Sequence, residues 1–173
     1  MLSVFISKLL LARQFTLSEK EFKIFNKGFY LQPLKQLAFL QKKLEEKFGE
    51  KGFQMLYETG KESFFEMSKE LESPPRAAFL NALLSLLQHL GFGKIEIIEI
   101  KDEKQEARVK VKDNPYAKEY LKMFGVQKTP VDHLLAGVIA GYFSIYFNKD
   151  VDCTEESCIG KGNLICEFLV KSS

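Results

Sequence analysis

Cys158 and Cys166 stand on either side of a stretch carrying Gly160 and Gly162. A glycine-bearing turn folds the flanking segments back on each other, so the two sulfurs can approach. Soft thiolates beside a carboxylate or an imidazole suit zinc, and a structural zinc site takes four ligands. The spacing is not CxxC and no second cysteine pair exists. Two plainer readings therefore stay open: two small buried hydrophobes, and a hairpin disulfide, which a reducing compartment disfavours. Further donors must come from elsewhere in the chain. Asp132 and His133 are the polar residues in the first turns of an otherwise apolar helix. Each has a bland explanation. A carboxylate near a helix N-terminus is favoured by the helix dipole, and a lone histidine there is commonly satisfied locally. The hairpin's need for partners lifts both above that. His89, on an earlier helix, reads as structural or surface, and Cys153 as a strand residue.

Other chemistry is harder to find. Gly160-Lys-Gly162 is followed by a strand-like run rather than a helix, so it is no dinucleotide-binding turn. The two histidines lie in different contexts, and neither forms a nucleophile–base pair. The residues thus argue against an enzyme. The chain carries 16 Phe, 6 Tyr and no Trp. Aromatic residues on helix faces are core residues more often than pocket linings, but small-molecule sites are mainly apolar with few polar groups. Phe92, Tyr142 and Tyr146 are the pocket candidates.

The elements that must position these residues follow from periodicity. Phe22, Ile24, Phe29 and Leu31 alternate around Asn26-Lys27-Gly28 as strands about a turn, while Leu2–Leu11 fits a helix or a buried strand. Apolar residues then recur at helical spacing from Leu34 to Leu44, and again from Met55 to Leu71. Ser73-Pro74-Pro75 caps a third helix, which ends at Gly91-Phe92-Gly93. Ile95–Ile100 and Ala107–Val111 form a strand pair turning at Asp102-Glu103-Lys104. Asn114-Pro115 opens a short helix. Thr129-Pro130 predicts the cap and first position of a long apolar helix, in which Gly137 and Gly141 lie four apart and permit close approach of another backbone. Val151–Cys158 and Asn163–Val170 complete a terminal strand pair. The expectation is one α+β domain over residues 1–173.

Size and charge set the class. With 173 residues, 46% hydrophobic and 28% charged, the chain has material for a real core. A net charge of +2 gives no global pull toward nucleic acid. Leu134–Phe147 is apolar but only 14 residues long, whereas a bilayer span needs about 20. With Lys8 and Arg13 interrupting the apolar start and an odd cysteine count, a soluble cytoplasmic protein is expected.

Thr129-Pro-Val-Asp-His-Leu-Leu-Ala-Gly137-Val-Ile-Ala-Gly141-Tyr-Phe, followed by Glu155-x-x-Cys158-x-x-x-Gly162-x-x-x-Cys166-Glu-Phe, resembles the 4-vinyl reductase domain family. Its relatives include sensor domains of aromatic-responsive bacterial activators and, more distantly, TRAPP trafficking subunits and haem-NO-binding domains. Leu90-Gly-Phe-Gly93 and Asp113-Asn-Pro-Tyr-Ala117 support the match, which is strongest over 75–170. The resemblance implies an antiparallel sheet flanked by helices, the ligand-binding fold of the NO-signalling and Golgi-transport type, and a homodimer. It also implies a zinc site. By position the hairpin ligands would be Glu155, Cys158 and Cys166. The fourth, a cysteine in the sensor domains, falls on Asp132 here, which leaves Asp132 and its neighbour His133 to complete the site. Three functions follow from these expectations. The first is a zinc-containing, sensor-like domain with an apolar pocket for a small hydrophobic or aromatic molecule. The second is a dimeric TRAPP-like scaffold, and the third an accessory or reductase role in tetrapyrrole metabolism.

Overall fold

The structure is a computed structural model and describes residues 15–24, 27–69 and 76–172. Leu2–Leu11, Asn26 and the cap at Ser73-Pro74-Pro75 lie outside the described residues. The chain divides into two compact units, Met1–Pro33 and Leu34–Ser173. In the first, β1 (Phe15–Leu17), β2 (Phe22–Ile24) and β3 (Lys27–Phe29) form an antiparallel meander. Phe22 pairs with Phe29 across the strands, their ring centroids 5.8 Å apart.

The second unit begins with three helices, α1 (Leu34–Phe48), α2 (Glu50–Lys69) and α3 (Arg76–His89). The hairpin β4 (Lys94–Lys101) and β5 (Glu106–Lys112) follows, then α4 (Pro115–Phe124), α5 (His133–Phe147), β6 (Val151–Ser157) and β7 (Cys166–Ser172). The four strands form one antiparallel sheet in the order β4-β5-β7-β6. Period-two alternation gives the sheet a buried face. Ala107, Val109 and Val111 of β5, Cys166, Phe168 and Val170 of β7, and Val151 and Cys153 of β6 are all buried. The same period carries Glu155 onto this face, opposite Phe168 and only 7% exposed. A carboxylate at a core position is costly unless something compensates it. The fold is α+β, an antiparallel sheet with helices against it.

The helix α5 packs on β6 and β7 and lies along α2. Glycine makes that second contact possible. A methyl group on Gly137 would overlap the carbonyl oxygen of Tyr57, and one on Gly60 would overlap that of Leu134. The two helices therefore touch backbone to backbone. At the far end of α5, Ser144 donates to the carbonyl of Ala140 (2.9 Å) and accepts from the amide of Val151 (3.2 Å), tying the helix to the start of β6. No described helix is long and apolar enough to cross a membrane.

Several element boundaries differ from the sequence expectation; α2, for one, starts at Glu50 rather than Met55. Thr129-Pro130 does not start α5; the helix begins at His133 with Asp132 at its cap position. Residues 130–132 are instead held by tertiary hydrogen bonds. The amide of Gln41 donates to the carbonyl of Val131 (2.8 Å), and the backbone amide of Asp132 donates to Glu155 (3.0 Å). β7 likewise starts at Cys166 rather than Asn163, because Asn163 belongs to the turn. Its backbone amide donates to the carbonyl of Cys158, and its side-chain oxygen accepts from the Cys158 amide.

Candidate metal centre

Three elements converge on one buried cluster. β6 supplies Glu155 on its inward face, and Cys158 follows directly at the start of the turn. β7 begins with Cys166, and Asp132 caps α5. The short helical turn Ile159–Lys161 and Gly162, with φ +90°, reverse the chain between the two cysteines. Gly160 lies against the methyls of Val131, where a Cβ would come within 2.7 Å, so the turn is seated on the residue beside Asp132.

The ligating atoms of Asp132, Glu155, Cys158 and Cys166 all lie within 4.8 Å of one another, and all four residues are buried. Cys166 Sγ donates to Asp132 Oδ2 at 3.3 Å and accepts from the amide of Ile159 (3.4 Å) and the side chain of Asn114 (3.8 Å). Glu155 Oε2 receives the Asp132 amide, while Glu155 Oε1 is buried and has no hydrogen-bond partner among the described residues. Asp132 is 1% exposed, and its side chain makes no capping hydrogen bond at the helix it precedes. Its carboxylate faces the cluster instead, so helix capping does not account for it.

The electrostatics match this crowding. Burial, followed by the neighbouring Glu155, holds the Asp132 carboxyl well above the ordinary carboxylate range. Burial and then Cys158 push Glu155 up to about 8. Hydrogen bonding from Cys166 is the main cause that lowers Cys158 to about 6, and the same bond together with burial raises Cys166. Four ionisable groups thus share one dry space, which disfavours their charged forms. Such a group of donors is costly to bury without a cation.

The donor set fits zinc. Two sulfurs and two carboxylate oxygens make four ligands of the right softness, and thiolates disfavour calcium or magnesium. Zinc–ligand bond lengths give tetrahedral edges of about 3.4–3.8 Å. The 3.3 Å approach of Asp132 to Cys166 is already of that order, and the orphaned Glu155 Oε1 is a donor atom with nothing else to bind.

His133 stands beside the cluster, and the structure does not place it among the four. Its ring stacks on Phe53 at 4.2 Å. It is hydrogen-bonded to the carbonyl of Pro130, and burial lowers its pKa. Two residues missed in the sequence support the centre. Asn114 caps α4 through the Ala117 amide (3.1 Å) while reaching Cys166, and Gln41 anchors Val131 with Tyr116 bonded behind it (2.7 Å). Asn-Pro at a helix start signals the cap; nothing local signals the second contact of either residue.

The pocket candidates lie elsewhere. Tyr142 is 3% exposed, its ring 5.0 Å from Phe143 and 6.1 Å from Phe64, and its hydroxyl has no partner among the described residues. Tyr146 is half-buried with its ring 6.0 Å from Phe143, and Phe92 is half-buried at the turn into β4. A cavity of about 900 Å³ opens at the C-terminal end of α5, lined by residues including Lys61, Phe65, Gly141, Ser144 and Ile145. None of the three candidates lines it.

Comparison with known proteins places this arrangement. The structure aligns with the phenol-responsive sensory domain of the transcription activator PoxR, crystallised with phenol, at a TM-score of 0.80 and 21% identity; 99% of this chain and 92% of that one are covered. A vinyl-4-reductase family protein of Methanocaldococcus jannaschii aligns at a TM-score of 0.51 and 19% identity, covering 84% of this chain and 98% of that one. A trafficking protein particle complex subunit 3 from Naegleria fowleri, covalently bound to palmitic acid, aligns at 0.54 and 15%, covering 81% and 95%. These three share the fold. In sequence, the chain is 32% identical over 91 residues to the uncharacterized protein MJ0150 of Methanocaldococcus jannaschii, covering 53% of this chain. The chain spans about half the length of that curated relative, 51%. The V4R domain family matches residues 107–172, a span that holds all four donors of the cluster. Residues 107–172 of this chain are thus similar to a V4R domain.

Proposed function

We propose that this protein is a zinc-containing, small-molecule-binding domain of the sensory kind, with Asp132, Glu155, Cys158 and Cys166 as the metal ligands. The observation that carries the metal reading is the unpartnered Glu155 Oε1, buried among three other donors. When bound, zinc would neutralise the thiolates and carboxylates and join the β6–β7 turn to the start of α5. The chain's own residues do the rest. Asn114 and the Ile159 amide orient Cys166, and Gln41 fixes the strand of backbone that presents Asp132.

The ligand reading draws on the fold shared with a phenol-responsive sensory domain and on Tyr142. A buried phenolic hydroxyl without a partner is a group that the polar atom of an aromatic ligand would satisfy. The surrounding rings of Phe64 and Phe143 would hold its apolar body. Native mass spectrometry and thermal shift against a panel of phenols and tetrapyrroles test this. Retention of a small aromatic molecule, weakened in Tyr142→Phe, is the expected result; no retained ligand and no shift would remove the reading. A cavity-filling Ile145→Trp change should leave binding intact. If it abolishes binding, the cavity beside α5 is the ligand site instead.

Metal uptake should depend steeply on pH. Burial favours the protonated forms of Glu155, Asp132 and Cys166, so zinc uptake must release protons. Zinc affinity therefore climbs as pH rises from 6 to 8, readable by titration against a competing chelator. The metal-free chain behaves oppositely at lower pH. Folded Glu155 and Asp132 hold protons that the unfolded chain releases, so stability falls as pH rises from about 4.5 to about 6. Above about 6, the lowered pKa of Cys158 contributes stability and offsets part of that loss.

A dimeric scaffold is the second reading. Exposed apolar side chains at Leu34, Phe39, Leu40 and Phe48 of α1 favour it. Sedimentation at micromolar concentration would separate a stable dimer from a monomer.

A further inference from the structure

We infer that Cys158 and Cys166 form a reversible oxidation site, so that the centre can close on a disulfide when it holds no metal. This rests on the cluster described above, and not on the metal itself.

The backbone brings the pair into bridging geometry. β6 and β7 are antiparallel with Ser157 opposite Glu167, so extending that register one position past the end of β6 sets Cys158 against Cys166. Directly opposed residues in an antiparallel pair have Cα atoms about 4.5–5.5 Å apart, within the roughly 4.4–6.8 Å range of protein disulfides. The two sulfurs belong to a group of ligating atoms all within 4.8 Å of one another, and all three cysteines of the chain are free. A sulfur–sulfur bond thus needs a small inward shift and no rearrangement of strands. Solvent is close at hand. Lys161, Gly162, Asn163 and Leu164 are exposed, Leu164 at 94%, so opening of this short turn admits an oxidant of water's size.

The oxidant class is a hydroperoxide, and the step balances. One cysteine sulfur attacks a peroxide oxygen, the O–O bond breaks, and a sulfenic acid and water form. The second sulfur then displaces the hydroxyl, which leaves as a second water with the remaining proton. Two thiols and one hydrogen peroxide thus give one disulfide and two waters. Two electrons pass from the sulfurs to the peroxide oxygens. A thiol reductant reverses the reaction, and this suits a reducing compartment, where protein disulfides are transient and redox-sensing. Cys153 is set apart from the pair on β6, opposite Val170, and takes no part.

The test uses the full chain stripped by a chelator and exposed to dilute hydrogen peroxide, followed by intact mass and peptide mapping. The expected result is a loss of about 2 Da per chain, with one cross-linked peptide joining Cys158 to Cys166 and one free thiol remaining at Cys153. Dithiothreitol should restore all three thiols. Cys153→Ser should form the same bridge, and it covers the case in which variants at the pair fail to fold. A bridge involving Cys153, a stable sulfinic acid at either cysteine, or three thiols surviving would overturn the proposal. Elemental analysis of the same preparation before stripping reads the metal separately. A bridge without prior zinc sinks the metal reading alone, and zinc without a bridge sinks this one alone.

Discussion

Gly137→Ala is expected to lower the unfolding free energy by about 3 kcal/mol or more, the range of a severe overpacking change. Helix propensity predicts the opposite sign, since alanine in a helix interior is favoured over glycine by about 1 kcal/mol. The geometry decides between them. The added methyl would overlap the Tyr57 carbonyl oxygen, with the Lys61 amide 2.9 Å away. Both are backbone atoms of a helix and cannot rotate aside. α2 must move off α5, taking with it the reciprocal contact of Gly60 with Leu134 and that of Gly141 with the Lys61 carbonyl. Because Asp132 stands at the cap position of α5, the same shift would disturb the candidate metal centre. Urea denaturation followed by circular dichroism checks the magnitude. An unchanged or raised midpoint would show that the two helices do not meet as closely as described.

Cys166→Ser should carry the second large effect. Cys166 starts β7, is 0% exposed, and is contacted by Asp132, Ile159 and Asn114 at once. Serine offers a hard, weakly acidic oxygen in place of a thiolate, so a four-ligand zinc site loses a strong donor. Metal content should fall from about one zinc per chain to near zero. The freed carboxylates then sit buried and uncompensated. For a chain of this size each kcal/mol lost lowers Tm by about 2–4 °C, so a loss of about 4 kcal/mol would lower it by roughly 10–15 °C. Cys153→Ser is the internal control. Cys153 is also buried on the inner sheet face, so it shares the packing penalty but should keep its zinc. Equal metal content in the two variants would exclude Cys166 as a ligand.

Much of this site was legible in the sequence, and the unread parts share a cause. The glycine turn between Cys158 and Cys166 is a local signal, as is the alternation that turns Glu155 inward with Val151 and Cys153. Asn114-Pro115 correctly marks the start of α4. What escaped was set by contacts distant in sequence. Thr129-Pro130 carries the local marks of a helix start, yet bonds from Gln41 and to Glu155 hold the backbone beyond it out of the helix until Asp132. Asp132 had a sufficient explanation in the helix dipole. Only the absence of any capping hydrogen bond, together with the bond from Cys166, shows that its carboxylate serves the cluster. The close approach at Gly60 has no local sign, because its partner Leu134 lies 74 positions on. The second contacts of Asn114 and Gln41 have no local signature of any kind.

Asp132 and His133 are neighbours, and only Asp132 faces the cluster, so the fourth donor is a carboxylate oxygen rather than an imidazole nitrogen. X-ray absorption at the zinc edge of the zinc-loaded full chain measures it directly. Two sulfurs at about 2.3 Å and two oxygens at about 2.0–2.2 Å are predicted, with no imidazole scattering and with the spectrum unchanged in His133→Ala. An imidazole shell, a single sulfur, or failure to bind one zinc per chain would contradict a centre built from Asp132, Glu155, Cys158 and Cys166.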